Sequence, residues 1–65
     1  MKELDLLLGR WLERGWPLAD AVTQGTFARL LEAQDPEIAA WLLGGVRPDD
    51  PQLAALIDDI LRHRN

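Results

Sequence analysis

Four short segments with the apolar spacing of amphipathic helices constrain the fold of this chain most. They begin near Lys2, Ala21, Asp35 and Asp50, and glycine or proline lies between them. Apolar residues recur at intervals of three and four, which places them on one face of a helix. No segment alternates with a period of two, so no strand is predicted. Short connections favour close packing, and the expected fold is all-α, a small compact bundle of four helices in one domain, residues 1–65.

The apolar faces of these segments predict the core. The first helix is expected over Lys2–Arg14 and the second over Ala21–Ala33. The first face consists of Leu4, Leu7, Leu8, Trp11 and Leu12, widened by Leu6. The second consists of Val22, Phe27, Leu30 and Leu31. The third and fourth consist of Ile38, Trp41 and Leu42, and of Leu53, Leu56, Ile57, Ile60 and Leu61. We therefore expect Trp11 and Trp41 in the core, whereas Trp16, in a turn, fits either packing over the helix junction or partial exposure.

Capping residues support these boundaries. Three aspartates are predicted N-caps because their side chains can accept bonds from free backbone amides. They are Asp20, Asp35 and Asp50. The last two are each followed by proline, which is favoured at the first helical position. Gly25, inside the second helix, weakens it by up to about 1 kcal/mol relative to alanine.

Composition argues against several classes of function. The net charge is −4 with seven basic residues, and the only basic cluster is Arg62-His63-Arg64. This charge does not fit a nucleic-acid binder, whose affinity comes largely from neutralising phosphates. No apolar run is long enough to span a membrane, and the N-terminus lacks the features of a signal peptide. The chain has no cysteine, which fits a reducing compartment, so a cytoplasmic protein is expected.

The residues that could catalyse a reaction are few. His63 is the single histidine, and serine and tyrosine are absent. Asp58 and Asp59 are adjacent on a predicted helix, so they do not face each other as an acid–base pair. The Asp49-Asp50 pair lies in a turn, where aspartates cap helices. No metal-ligand spacing or phosphate-binding loop is present. We expect a protein that binds another protein, with neither catalytic nor metal-binding residues.

One motif in the second half of the chain is similar to that of a known family. It consists of Leu30, Leu31, Glu32, Asp35, Pro36, Trp41, Leu42, Gly45 and Pro48. These residue types at this spacing resemble the FAD assembly factors of succinate dehydrogenase. The bacterial members are called SdhE, some under the older label antitoxin CptB, and the mitochondrial ones succinate dehydrogenase assembly factor 2. The resemblance covers nearly the whole chain.

The family's functional signature, Arg-Gly-x-x-Glu, is met only in part. Glu3 matches its glutamate, with Lys2 and Asp5 adjacent, and the resemblance implies that these residues contact the partner. The arginine and glycine would precede Met1, as would the first helix of the family's five-helix fold. Either the start was assigned at an internal methionine, which we favour, or this is a shortened relative. A missing helix would leave part of the Leu4–Leu12 face uncovered, and self-association is then expected.

The resemblance implies an assembly chaperone. Members of the family bind the flavoprotein subunit of succinate dehydrogenase, and in bacteria also that of fumarate reductase, and promote covalent attachment of FAD. The flavin belongs to the partner, so no stably bound cofactor is expected here. The alternative is an antitoxin-like or other regulatory protein-binding module, as the older label suggests.

Overall fold

The computed structural model of this protein describes residues 2–63, which contain four α-helices and one short 3-10 helix. The helices are α1 (Lys2–Arg14), α2 (Ala21–Leu31), α3 (Asp35–Leu42) and α4 (Pro51–Arg62). The 3-10 turn, Trp16–Leu18, links α1 to α2. No strand occurs within these residues, and the predicted all-α fold of four helices is confirmed. Arg64, of the predicted basic cluster, lies outside the described residues.

All four helices contribute to one core. α2 packs along α4, and α1 contacts both α3 and α4. The buried apolar side chains are Leu4, Trp11, Phe27, Leu30, Ile38, Leu42, Leu56, Ile57 and Ile60. Every one of them was predicted from the helical faces. Trp41 is half-buried and packs against this core, as do Leu7, Leu8, Leu53 and Leu61.

Three predicted core residues are instead exposed, together with the residue that widened the first face. Leu12, Val22, Leu31 and Leu6 are 46–59% exposed. Helices this short cover only part of each neighbour's circumference, so residues at the edge of an apolar face remain in water. In α2, Thr26 takes a buried position in place of Val22. Its hydroxyl donates a 2.8 Å hydrogen bond to the Val22 carbonyl, which satisfies the buried oxygen.

The helix boundaries follow the capping residues with one correction. Asp20 accepts a 2.8 Å bond from the Thr23 amide, and Asp50 accepts one of the same length from Gln52, so both predicted caps are confirmed. Asp35 was wrong as an N-cap. The Gln34 carbonyl already accepts from the Ile38 amide at 3.1 Å, so Asp35 lies inside the helix and Gln34 is the cap. The C-terminal end of α2 also differs from the prediction, because this helix stops at Leu31, two residues before the predicted Ala33.

An aromatic cluster joins α1, the 3-10 turn and α2. The rings of Trp11 and Phe27 stack with centroids 4.7 Å apart. Trp16 packs edge-on against both at 6.0 Å and remains 37% exposed, so it covers the helix junction and still reaches solvent. Gly15 makes this packing possible, because a Cβ atom there would collide with the indole ring of Trp11.

Candidate protein-docking surface

A shallow apolar groove lies where the N-terminal half of α1 meets the C-terminal ends of α3 and α4. Its volume is about 240 Å³. It is lined by Glu3, Leu6, Leu7, Arg10, Leu42, Leu43 and Leu61. We call it the leucine groove. Five of its seven residues are leucines, and the two charged residues both come from α1.

The helices place these side chains by their period. Glu3, Leu6 and Arg10 fall on one face of α1 because helical residues three and four apart are neighbours. Leu43 follows the last residue of α3 as its C-cap. Leu6 is 56% and Leu43 49% exposed, and they line the same groove. Adjacent exposed apolar side chains of this kind mark contact sites more often than isolated ones do.

The three residues predicted to contact the partner lie at the start of α1. Lys2, Glu3 and Asp5 are all exposed. The two carboxylates also complement the positive end of the helix dipole. Of the three, only Glu3 lines the leucine groove. The structure therefore joins Glu3 to a set of leucines that the sequence analysis did not connect with it.

The residues of the second-half motif mostly support the fold. Leu30 is fully buried, and Leu42 is buried in the core and also lines the groove. Gly45 has a φ of 74°, a left-handed conformation that favours glycine. It ends α3 in a turn in which the Val46 amide donates to the Ala40 carbonyl at 3.0 Å.

The remaining motif residues lie at helix ends and around the core. They are Leu31 and Glu32 at the end of α2, Asp35 and Pro36 at the start of α3, Trp41 near its end, and Pro48 before α4. Leu31, Glu32, Asp35 and Pro36 are exposed, whereas Trp41 and Pro48 are half-buried. None of these six lines the leucine groove.

A larger groove, of about 470 Å³, lies between the turn after α1, the start of α2 and α4. Its polar centre is Asp59, which accepts hydrogen bonds from the Trp11 indole at 2.7 Å and from Arg62 at 2.8 Å. Burial raises the pKa of Asp59, but the Trp11 and Arg62 bonds outweigh it and hold this pKa below its usual value. His63 Nδ1 lies 2.9 Å from the Asp59 carbonyl oxygen. The Asp59 carboxylate is ionised and already accepts hydrogen bonds from Trp11 and Arg62. Its role is therefore better explained by stabilisation of the fold than by acid–base catalysis.

The two adjacent aspartates of α4 turn to different partners. Arg47 donates to both carboxylate oxygens of Asp58, at 2.8 and 3.0 Å, and these bonds lower the pKa of Asp58. Asp59 instead accepts the hydrogen bond from Trp11. They therefore form no converging pair, as predicted from their spacing.

Two features of these surfaces were not predicted from the sequence. Leu42 was placed on the apolar face of α3 but Leu43 was given no role, although the run Trp41-Leu42-Leu43 is wider than one face and was the available signal. The bond from Trp11 to Asp59 was not predicted either, because no local pattern indicates it. Across residues 2–63, no group of three or more histidine, aspartate or glutamate side chains could hold a metal ion. No helix in that range is long and apolar enough to cross a membrane.

Comparison with known proteins gives a consistent result. A family model described as the flavinator of succinate dehydrogenase matches residues 1–64. The chain is 35% identical over 63 residues to the FAD assembly factor SdhE of Vibrio cholerae, covering 97% of this chain and 73% of that protein. It is 39% identical over 57 residues to the SdhE of Xylella fastidiosa, covering 88% of this chain and 59% of that protein.

A third relative, the FAD assembly factor SdhE of Methylococcus capsulatus, is 41% identical over 56 residues. The match covers 86% of this chain and 68% of that protein. No solved structure matches. The chain spans three fifths to three quarters of the relatives named here. The family model and the relatives agree, and the chain belongs to the FAD assembly factor family, the flavinators of succinate dehydrogenase.

Proposed function

We propose that this protein is a non-catalytic, cytoplasmic assembly factor. It binds the flavoprotein subunit of succinate dehydrogenase, or that of fumarate reductase, and promotes covalent attachment of FAD to it. Family membership supports the assembly role. The observation that carries the docking site is the position of Glu3, the residue matching the family signature, at the edge of the leucine groove.

The leucine groove has the composition of a small protein-binding patch. Its exposed leucines, Leu6 and Leu43, supply apolar surface, and Glu3 and Arg10 supply charge. Interfaces commonly combine a desolvated apolar centre with a polar rim, and a few central residues dominate the affinity. In this proposal the chain contributes contacts alone. The flavin stays with the partner, which supplies the chemistry of its attachment.

Co-expression with the flavoprotein subunit tests the proposal. Leu43→Glu places a carboxylate in the groove, and Leu18→Glu is its matched control. Leu18 is 83% exposed and lies in the other groove. We expect Leu43→Glu to lower both co-purification of the subunit and its covalent flavin, read as fluorescence in a denaturing gel. Leu18→Glu is expected to retain both.

Two results would contradict this assignment. Equal loss of binding in both variants, with helicity intact, would remove the leucine groove as the docking site. If the unmodified chain neither binds such a subunit nor promotes its flavinylation, and instead binds an unrelated regulatory target, the antitoxin-like alternative is favoured.

A further inference from the structure

The face of α1 in the leucine groove carries opposite charges at its two ends. Glu3 and Arg10 are seven residues apart, and Leu6 and Leu7 lie between them; all four line the groove. At a rise of 1.5 Å per residue the two charges are separated by about 10 Å along the helix. They therefore mark the ends of a short apolar strip and do not pair with each other.

This charge order is complementary to itself in one orientation. If two copies of α1 pack parallel, Glu3 faces Glu3 and Arg10 faces Arg10, which is repulsive. If they pack antiparallel about a two-fold axis, each Glu3 lies opposite Arg10 of the other copy. Two-fold symmetry creates both pairs at once, because the same patch meets itself.

The same orientation brings the exposed leucines together. The two-fold axis passes between Leu6 and Leu7, so Leu6 of each copy lies against the groove of the other. There it approaches Leu43, which is 49% exposed on the groove wall. Burial of these side chains supplies the apolar driving force for association, and the charges fix the orientation.

We infer that two copies of this chain associate through the leucine groove, with the α1 helices antiparallel. The molecule measures only 26 × 24 × 18 Å, and the groove occupies a small part of its surface. A contact confined to a groove of this size is small beside the about 1,200–2,000 Å² buried in stable complexes. The dimer is expected to be weak and reversible, with a dissociation constant in the micromolar to millimolar range. Where the proposed function also holds, dimerisation and flavoprotein binding exclude each other.

Sedimentation equilibrium of the 65-residue chain, over micromolar to millimolar concentrations, tests the inference. Glu3→Arg and Arg10→Glu are each expected to raise the dissociation constant about tenfold, because each sets like charges against each other. The double variant Glu3→Arg/Arg10→Glu restores the pairs with their signs exchanged and is expected to recover dimerisation. Arg10 also interacts within its own chain, so recovery in the double variant is the decisive measurement. Circular dichroism checks helicity throughout.

Leu6→Glu is expected to abolish the dimer, and Leu18→Glu, outside the leucine groove, to leave it unchanged. A chain that stays monomeric at millimolar concentration would overturn the inference. So would a helical double variant that fails to recover. A monomeric chain that still binds the flavoprotein subunit through Leu43 would overturn self-association alone and leave the proposed function standing.

Discussion

The indole nitrogen of Trp11 donates a 2.7 Å hydrogen bond to the carboxylate of Asp59, a residue 48 positions away. The Trp11 side chain is fully buried, and this bond satisfies its one polar atom. It joins the first helix to the last at the edge of the core. Arg62 donates to the other carboxylate oxygen and holds the acceptor in place.

The first prediction concerns removal of this acceptor. Asp59→Ala leaves a buried indole N–H without a partner, so we expect it to lower the free energy of unfolding by about 1–3 kcal/mol. Asp59→Asn keeps an acceptor oxygen and should destabilise the fold less. Urea unfolding followed by tryptophan fluorescence measures both. Equal stability of the alanine variant and the parent would show that the bond contributes nothing.

The second prediction concerns the stability of the fold at acid pH. Among residues 2–63, four carboxylates have a pKa below the usual value: Asp20, Asp50, Asp58 and Asp59. For Asp50 the first cause is the hydrogen bond from Arg29. A pKa that is lower in the folded state contributes stability above the unfolded pKa of about 3.9, and this is lost as pH falls through the folded pKa. We therefore expect these groups to leave stability flat from neutral pH to about pH 5 and to reduce it progressively below pH 4.

The thermal unfolding midpoint measured between neutral pH and pH 2 checks this second prediction. Asp58→Asn removes one of the titrating groups together with its charge pair with Arg47, so its midpoint should fall less steeply in acid than that of the parent. Identical acid slopes in the two proteins would show that Asp58 does not contribute.

Local sequence signals predicted most of the fold. Asp20 and Asp50 identified two helix starts, because capping depends on residues two or three positions away. The apolar period also found every buried apolar residue. It could not show which residues of an apolar face are buried most deeply. Leu12 and Leu31 were therefore placed in the core although neighbouring helices do not cover them.

The candidate docking surface was less predictable, because it depends on contacts between distant elements. Glu3 was singled out through a family resemblance, whereas Leu43, which lines the same groove, follows α3 as its C-cap. No pattern along the chain connects the two. The bond from Trp11 to Asp59 is of the same kind, since it requires the packing of α1 against α4.

The third prediction uses two glycines as a matched pair. A Cβ atom at Gly25, within α2, would meet nothing within 4 Å, so Gly25→Ala should stabilise the fold by up to about 1 kcal/mol through helix propensity. Gly15→Ala adds the same methyl group against the Trp11 ring and should destabilise it by about 1–3 kcal/mol. Thermal unfolding of the two variants should therefore shift in opposite directions. Stabilisation by both substitutions would contradict the close approach of Gly15 to Trp11, and destabilisation by both would contradict the free space around Gly25.

The fourth prediction separates two adjacent leucines of the family motif. Leu30 is fully buried, whereas Leu31 is 54% exposed. Leu30→Ala should destabilise the fold by about 2–5 kcal/mol, because it removes buried methyl groups and leaves a cavity. A domain of this size has only about 3–5 kcal/mol to lose, so this variant should be largely unfolded. Leu31→Ala should change stability by less than about 0.5 kcal/mol.

Circular dichroism and urea unfolding distinguish the two variants. A folded Leu31→Ala variant that binds the flavoprotein subunit poorly would assign Leu31 a surface role. Comparable destabilisation by both substitutions would instead place Leu31 in the core and contradict the packing of α2 described above.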